Sequence, residues 1–206
     1  MIASSEYNYM SPQEYLEWEE QQEIKYEYIN GEVFAMTGGT IPHATISLNL
    51  ASVLKTHLRR GNCRTFMADA KLGISENSPF HYPDVMVSCH PRDKQAIQFI
   101  QYPCLIVEVL SPSTEADDRG GKFTQYRRIA TLQEYVLIDA TKMSLDCFRL
   151  NDRGLWELHP YTEGDEVHLS SVDFKFPLSL VYEDVELTDY SRRREHREQR
   201  RIGDRF

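Results

Sequence analysis

No stretch of this chain approaches the roughly 20 consecutive apolar residues that a membrane-spanning helix requires. One of its longest apolar runs, Cys104 to Val107, is cut short by Glu108, so no spanning helix is expected. The opening residues, MIASSEYNYM, contain neither a basic leader nor an apolar signal core, and a cytoplasmic protein is expected. Cysteine is scarce: the four residues, at 63, 89, 104 and 147, form no Cys-x-x-Cys pair. That spacing argues against a zinc ribbon or a redox dithiol and predicts buried, reduced thiols. There is no G-x-S-x-G, and no cysteine stands in a nucleophile context, which sets aside serine hydrolases of the α/β type and thiol enzymes. No internal repeat is visible.

What is present is the composition of a packed protein: 206 residues, 41% hydrophobic, 11% aromatic and 27% charged. A single domain over residues 1–190 is expected. The formal charge of -9 is unevenly spread, because residues 191–206 hold seven Arg against three acids, leaving the body at -13 and the tail at +4. An acidic body repels polyanions, so any nucleic-acid role needs a local basic surface or bound cations. The tail reads as a phosphate-binding arm or a partner-docking segment.

Ser11, Pro12 and Glu14 carry the signature of a helix start, followed by Tyr15, Leu16 and Trp18. Asn30-Gly31 between YEYI and EVFAM predicts a hairpin. Apolar residues at 46, 50, 53, 54 and 58 recur at helical spacing from His43 to Leu58, with Gly61 as a stop. Strands are expected at 65–74, 82–88 and 105–110, and a helix at 118–130 in spite of Gly120 and Gly121. Residues 134–139, 144–150 and 156–161 read as further strands and hairpins. The run 105–110 is apolar on both faces except for one acid, the pattern of a central strand covered on both sides.

That acid is Glu108, and a second, Asp84, follows Pro83 at the start of the preceding strand. Burying a carboxylate costs several kcal/mol unless it is paired, protonated or metal-bound. Two such acids on neighbouring strands suggest a magnesium site, since Mg2+ needs only one or two protein carboxylates beside water and phosphate oxygens. The alternative is that Asp84 caps a turn and Glu108 pairs with a buried Arg or Lys.

These residues resemble the PD-(D/E)xK nuclease superfamily. More closely, INGEVFAM, His43, YPDVMV, LIVEVLSPST with Asp118, Arg119, Lys122 and Tyr126, and EYVLID resemble the Uma-two family of restriction-endonuclease-like proteins, abundant in cyanobacteria. The resemblance spans roughly residues 10–185. It implies an α/β restriction-endonuclease-like fold, a central mixed β-sheet flanked by helices with additional β-hairpins. It also implies phosphodiester hydrolysis of nucleic acid, DNA first, with Mg2+ or Mn2+ held by Asp84 and Glu108. The superfamily lysine, two residues after the acid, is here replaced by Leu110. Lys122 is the best substitute, with Lys71 second. A phosphate-contacting or basic role at His43 and a third carboxylate at Glu32 complete the candidate set, and Arg59, Arg60, Arg64, Arg119, Arg127 and Arg128 are candidates for phosphate contacts, with surface solvation the ordinary explanation for any one of them. Cutting both strands of a duplex would favour a homodimer. The competing reading is a noncatalytic member of the fold that binds protein or nucleic acid, with Leu110 as the mark of lost chemistry.

Overall fold

The first helix, α1 (Pro12–Glu19), starts on a complete capping box. The Ser11 side chain accepts from the Glu14 amide, and the Glu14 carboxylate accepts from the Ser11 amide at 2.7 Å. The structure, a computed structural model, describes residues 9–187 apart from 37, 76–78 and 113, so the basic tail lies outside the described residues. The hairpin β1 (Tyr26–Ile29) and β2 (Glu32–Ala35) turns at Asn30 and Gly31, both at positive φ, as a tight turn of the primed type demands. Helix α2 (Ile41–His57) is capped by Thr40 and buries Ile46, Leu50 and Leu54 at the expected spacing.

The predicted strand at 65–74 is two strands. β3 (Arg64–Met67) pairs with β6 (Val85–Ser88), whereas β4 (Leu72–Gly73) pairs with β5 (Phe80–His81), which joins the sheet of the first hairpin. The chain changes sheets at the turn around Ala68 to Ala70, where apolar alternation gives no local signal of the switch. The longest strand, β7 (Pro103–Leu110), is buried at every position. The predicted helix at 118–130 is shorter and begins earlier: α3 (Glu115–Asp117), a π-helical turn over Asp118–Lys122, and α4 (Phe123–Tyr126). Strands β8 (Glu134–Asp139), β9 (Ser144–Leu150), β10 (Trp156–Thr162), β11 (Glu166–Leu169) and β12 (Phe174–Pro177) follow.

The main sheet runs β10-β9-β8-β7-β6-β3 and is mixed, with β7 and β8 parallel and its other pairs antiparallel. Side chains alternate across it. Val85, Val87, Leu105 and Val107 face α2 and the C-terminal hairpin, while Met86, Ile106, Leu110 and Leu137 face Tyr126, Ile129 and Leu132. A smaller sheet, β2-β1-β5-β4, packs Tyr28, Val33 and Phe80 against Tyr15 and Leu16 of α1. This is the mixed sheet flanked by helices, with added hairpins, that the sequence implied.

One expectation fails. Cys63 and Cys89 are joined by a disulfide, and only Cys104 and Cys147 are free. The pairing Arg64↔Ser88 at the end of the β3–β6 ladder sets the next residues, 63 and 89, opposite each other across 26 residues of chain. No sequence spacing signals it.

The C-terminal hairpin is tied to the sheet through Glu134. Its buried carboxylate accepts from Arg149 Nε at 2.8 Å, the Ser170 amide at 3.0 Å and the Ser171 amide at 2.9 Å. Burial works to raise this carboxyl, but the hydrogen bonds from Ser171, Arg149 and Ser170 outweigh it and hold the group below its ordinary range. A depressed pKa contributes stability that is present above the ordinary carboxylate value and lost as pH falls through the folded one. Glu134→Ala is therefore expected to cost about 3–5 kcal/mol at neutral pH, since it strands a half-buried arginine. In urea titrations the gap to the parent should narrow towards pH 4; an equal gap at both pH values would show that packing, not charge, is lost.

Candidate active site

The ladder between β6 and β7 pairs Val85 with Val107 and Met86 with Ile106. One step further along the same register stand Asp84 and Glu108. Side chains directly opposite on antiparallel strands share a face, with Cβ atoms roughly 5 Å apart. Pro83 has no amide to give to the ladder, so pairing stops there and the Asp84 carboxylate is left at the end of the sheet. The two acids are cross-braced. The Val109 amide donates to Asp84 Oδ2 at 2.7 Å, and the Asp84 amide donates to Glu108 Oε2 at 3.4 Å.

From the start of α2, His43 brings Nε2 to 3.1 Å from Asp84 Oδ2. Burial disfavours the imidazolium, but the Asp84 carboxylate overrides it and raises the His43 pKa. Gly39 makes room for this ring, since a Cβ there would lie 2.8 Å from His43 Nδ1.

On the other side, the π turn carries Lys122 inward. Its buried Nζ lies 3.2 Å from Glu108, 3.2 Å from Asp118 and 3.4 Å from Glu27. Burial alone would lower its pKa; these carboxylates hold it well above the usual lysine range. The Tyr126 hydroxyl donates to Glu108 Oε1 at 2.7 Å. Glu108 itself is pushed up to about 8, first by burial and then by Asp84, Asp118 and Glu27, which together outweigh Lys122. Burial likewise opposes ionisation of Glu27, but Lys122, His81 and the Tyr82 amide prevail and draw it down to about 2. His81 completes this layer, with Nδ1 3.3 Å from Glu27 Oε1 and Nε2 2.6 Å from Gln125 Oε1.

His43, Asp84, Glu108, Asp118 and Lys122 line one cleft of about 570 Å³, whose other walls include Gly38, Gly39, Met67 and Tyr82. Among the described residues no three His, Cys, Asp or Glu side chains converge as a ready metal cage. The all-oxygen pair Asp84 and Glu108 nevertheless suits Mg2+, which takes few carboxylates and completes its shell with water and phosphate oxygens.

The other candidates lie elsewhere. Glu32 is exposed on the hairpin opposite Ile29. Lys71 is buried against Glu19 at 2.9 Å and sits over the Tyr15 ring, outside the carboxylate cleft. Lys122 does make the i,i+4 contact with Asp118 that its spacing allowed, but buried in the cleft and not on a solvated face. Glu27 and His81 were not singled out from the sequence. Glu27 alternates with Tyr26 and Tyr28 as an outward polar residue would, and only the packing of both faces of β1 shows it to be interior.

A mixed sheet with two facing acids at the end of its central antiparallel pair, and a lysine brought in from the crossover, is of the restriction-endonuclease-like class. The profile of the Uma2 family, described as "Putative restriction endonuclease", matches residues 12–180. An uncharacterized protein of Synechocystis sp. is 44% identical over 173 residues, covering 84% of this chain and 91% of that protein. A second uncharacterized protein of the same organism is 39% identical over 128 residues, 61% of this chain and 72% of that one. The fold is similar to a crystal structure from Anabaena variabilis described as a "putative nuclease belonging to DUF820", with a TM-score of 0.69, 17% identity, and coverage of 84% of this chain and 98% of that one. The chain belongs to the Uma2 family.

Proposed function

We propose that this protein is a divalent-metal-dependent nuclease that hydrolyses phosphodiester bonds of DNA at the Asp84/Glu108 cleft, within a catalytic unit formed by residues 1–190. The observation that carries the reading is the convergence of Asp84, Glu108 and Lys122 on one cleft from three separate elements.

Asp84 and Glu108 would hold Mg2+ or Mn2+, which when bound supplies charge neutralisation at the phosphate and a more acidic water. The Val109 amide and His43 fix the Asp84 carboxylate, and Tyr126 and Lys122 fix Glu108, so both oxygen donors are positioned before a ligand arrives. Lys122 supplies the positive charge that the sequence lacks at Leu110. From the cleft wall it can stabilise negative charge developing on the phosphate. A raised His43 favours its protonated form, suited to contact a phosphate oxygen and poorly suited to take a proton.

One observation favours the noncatalytic alternative: the Lys122 ammonium is met by three carboxylates, as a purely structural cation would be. Nicking of supercoiled plasmid separates the two. With Mg2+ or Mn2+ the wild type is expected to nick, chelator to stop it, and Asp84→Ala to slow it on the order of 10³-fold, the several kcal/mol a metal contributes. Equal rates in Asp84→Ala, or no cleavage of DNA with either ion, would leave the binding role standing.

A further inference from the structure

The chain carries 32 acids among 206 residues, yet residues 33–68 contain no Asp or Glu. This acid-free span runs from Val33 of β2 through α2 and β3 to residue 68, and it holds Lys55, Arg59, Arg60 and Arg64. Where α2 ends and β3 begins it walls a groove of about 480 Å³, lined by Lys55, Arg59, Asn62 and Arg64 and closed by Lys94 from the loop after β6. Among the described residues, no acidic side chain lines it.

Several cations elsewhere meet carboxylates, as Lys71 meets Glu19, Arg119 meets Asp146 and Arg149 meets Glu134. Among the described residues, none of the groove cations forms an ion pair. Arg64 Nη1 donates to the Lys94 carbonyl at 3.0 Å, and Lys94 Nζ donates to Asn62 Oδ1 at 3.3 Å. These neutral acceptors orient the side chains and leave their charge uncompensated. On a body of net negative charge, such a surface is the local basic patch that a polyanion requires.

Its position gives the polyanion a path. Phe66 belongs to the wall of the groove, and the next residue, Met67, to the wall of the carboxylate cleft. Along α2, Ser47 lines the cleft and Lys55 the groove, about 12 Å apart at 1.5 Å per residue. Successive phosphates of one DNA strand rise about 3.4 Å each, so the groove lies roughly three to four nucleotides from the cleft.

We infer that this groove binds the backbone phosphates of duplex DNA, engaging the strand a few nucleotides from the phosphate that reacts at the Asp84/Glu108 cleft. The inference takes the place of the reacting phosphate from the nuclease reading, while the contact itself needs no cleavage.

The test uses the full chain in chelator with a fluorescein-labelled duplex of about 20 base pairs, followed by anisotropy across a salt series. Arg59→Ser/Arg64→Ser is the groove variant; both side chains are exposed, so folding is not at stake. Arg127→Ser/Arg128→Ser, an exposed pair at the end of α4, removes the same charge elsewhere. The groove variant is expected to bind on the order of tenfold more weakly and to lose about two from the slope of log affinity against log salt, one for each phosphate contact. The control pair should keep the wild-type slope. Equal losses in both variants, wild-type binding in the groove variant, or no binding by the wild type each overturns the inference. Plasmid nicking separates the two readings. With both correct, the groove variant raises KM and leaves kcat unchanged. Cleavage with an unchanged KM sinks the groove alone, and groove-dependent binding without cleavage sinks the nuclease alone.

Discussion

Replacing Lys122 with methionine is expected to cost the fold on the order of 3–5 kcal/mol at neutral pH, the usual penalty for removing one partner of a buried ion cluster. Glu27, Glu108 and Asp118 all lie within 3.4 Å of the ammonium, and each is buried. Methionine fills the space but leaves three carboxylates facing one another. If Lys122 also acts on the phosphate, nicking should fall by about 10²–10³ beyond what the unfolded fraction explains, because a charge poised for the transition state is gone. Lys122→Arg should restore part of the stability and little of the cleavage, since a planar guanidinium cannot satisfy three carboxylates arranged around a compact ammonium. Urea titration and plasmid nicking on the same preparations check both arms. Wild-type cleavage in a destabilised Lys122→Met protein would make the lysine structural only.

Glu108→Gln should separate stability from activity in the opposite direction. Glutamine mimics the uncharged acid, and the fold favours that form, because burial and neighbouring carboxylates push Glu108 up to about 8 from an ordinary 4.5. A raised carboxyl pKa gives stability that is fully present below the ordinary value and lost as pH rises through the folded one. The stability advantage of Glu108→Gln over wild type should therefore be absent below about pH 4.5, grow through neutrality and level off above pH 8. The amide oxygen can still accept from Tyr126 and Lys122. Mn2+ binding followed by calorimetry should weaken sharply with one charged ligand gone, and nicking should fall on the order of 10³-fold. A Glu108→Gln protein that binds Mn2+ and nicks like the parent would remove Glu108 from the metal site.

Short-range chemistry was legible in the sequence. The Ser11–Glu14 capping box, the Asn30-Gly31 hairpin and the core face of α2 are each written within a few consecutive residues, where turn geometry and helical period act locally. The run CLIVEVL announced a strand covered on both faces, and an acid in such a run announced a paired or ligated carboxylate. The family resemblance came from the same residues.

Register and sheet membership were beyond local pattern. That Asp84 faces Glu108 follows from the β6–β7 pairing, and that Cys63 meets Cys89 follows from the β3–β6 pairing. The single apparent strand at 65–74 is divided between two sheets because its two halves find different partners. Glu27 reads as a surface residue and is interior because β1 is covered on both sides, and Lys122 could equally have lain on a solvated helix face. The sequence by itself determined which segments form helix, hairpin and central strand and which carboxylates are costly to bury. Tertiary structure alone decided which of those charges share a cleft, because that depends on contacts between residues far apart in the chain, where no short-range preference acts.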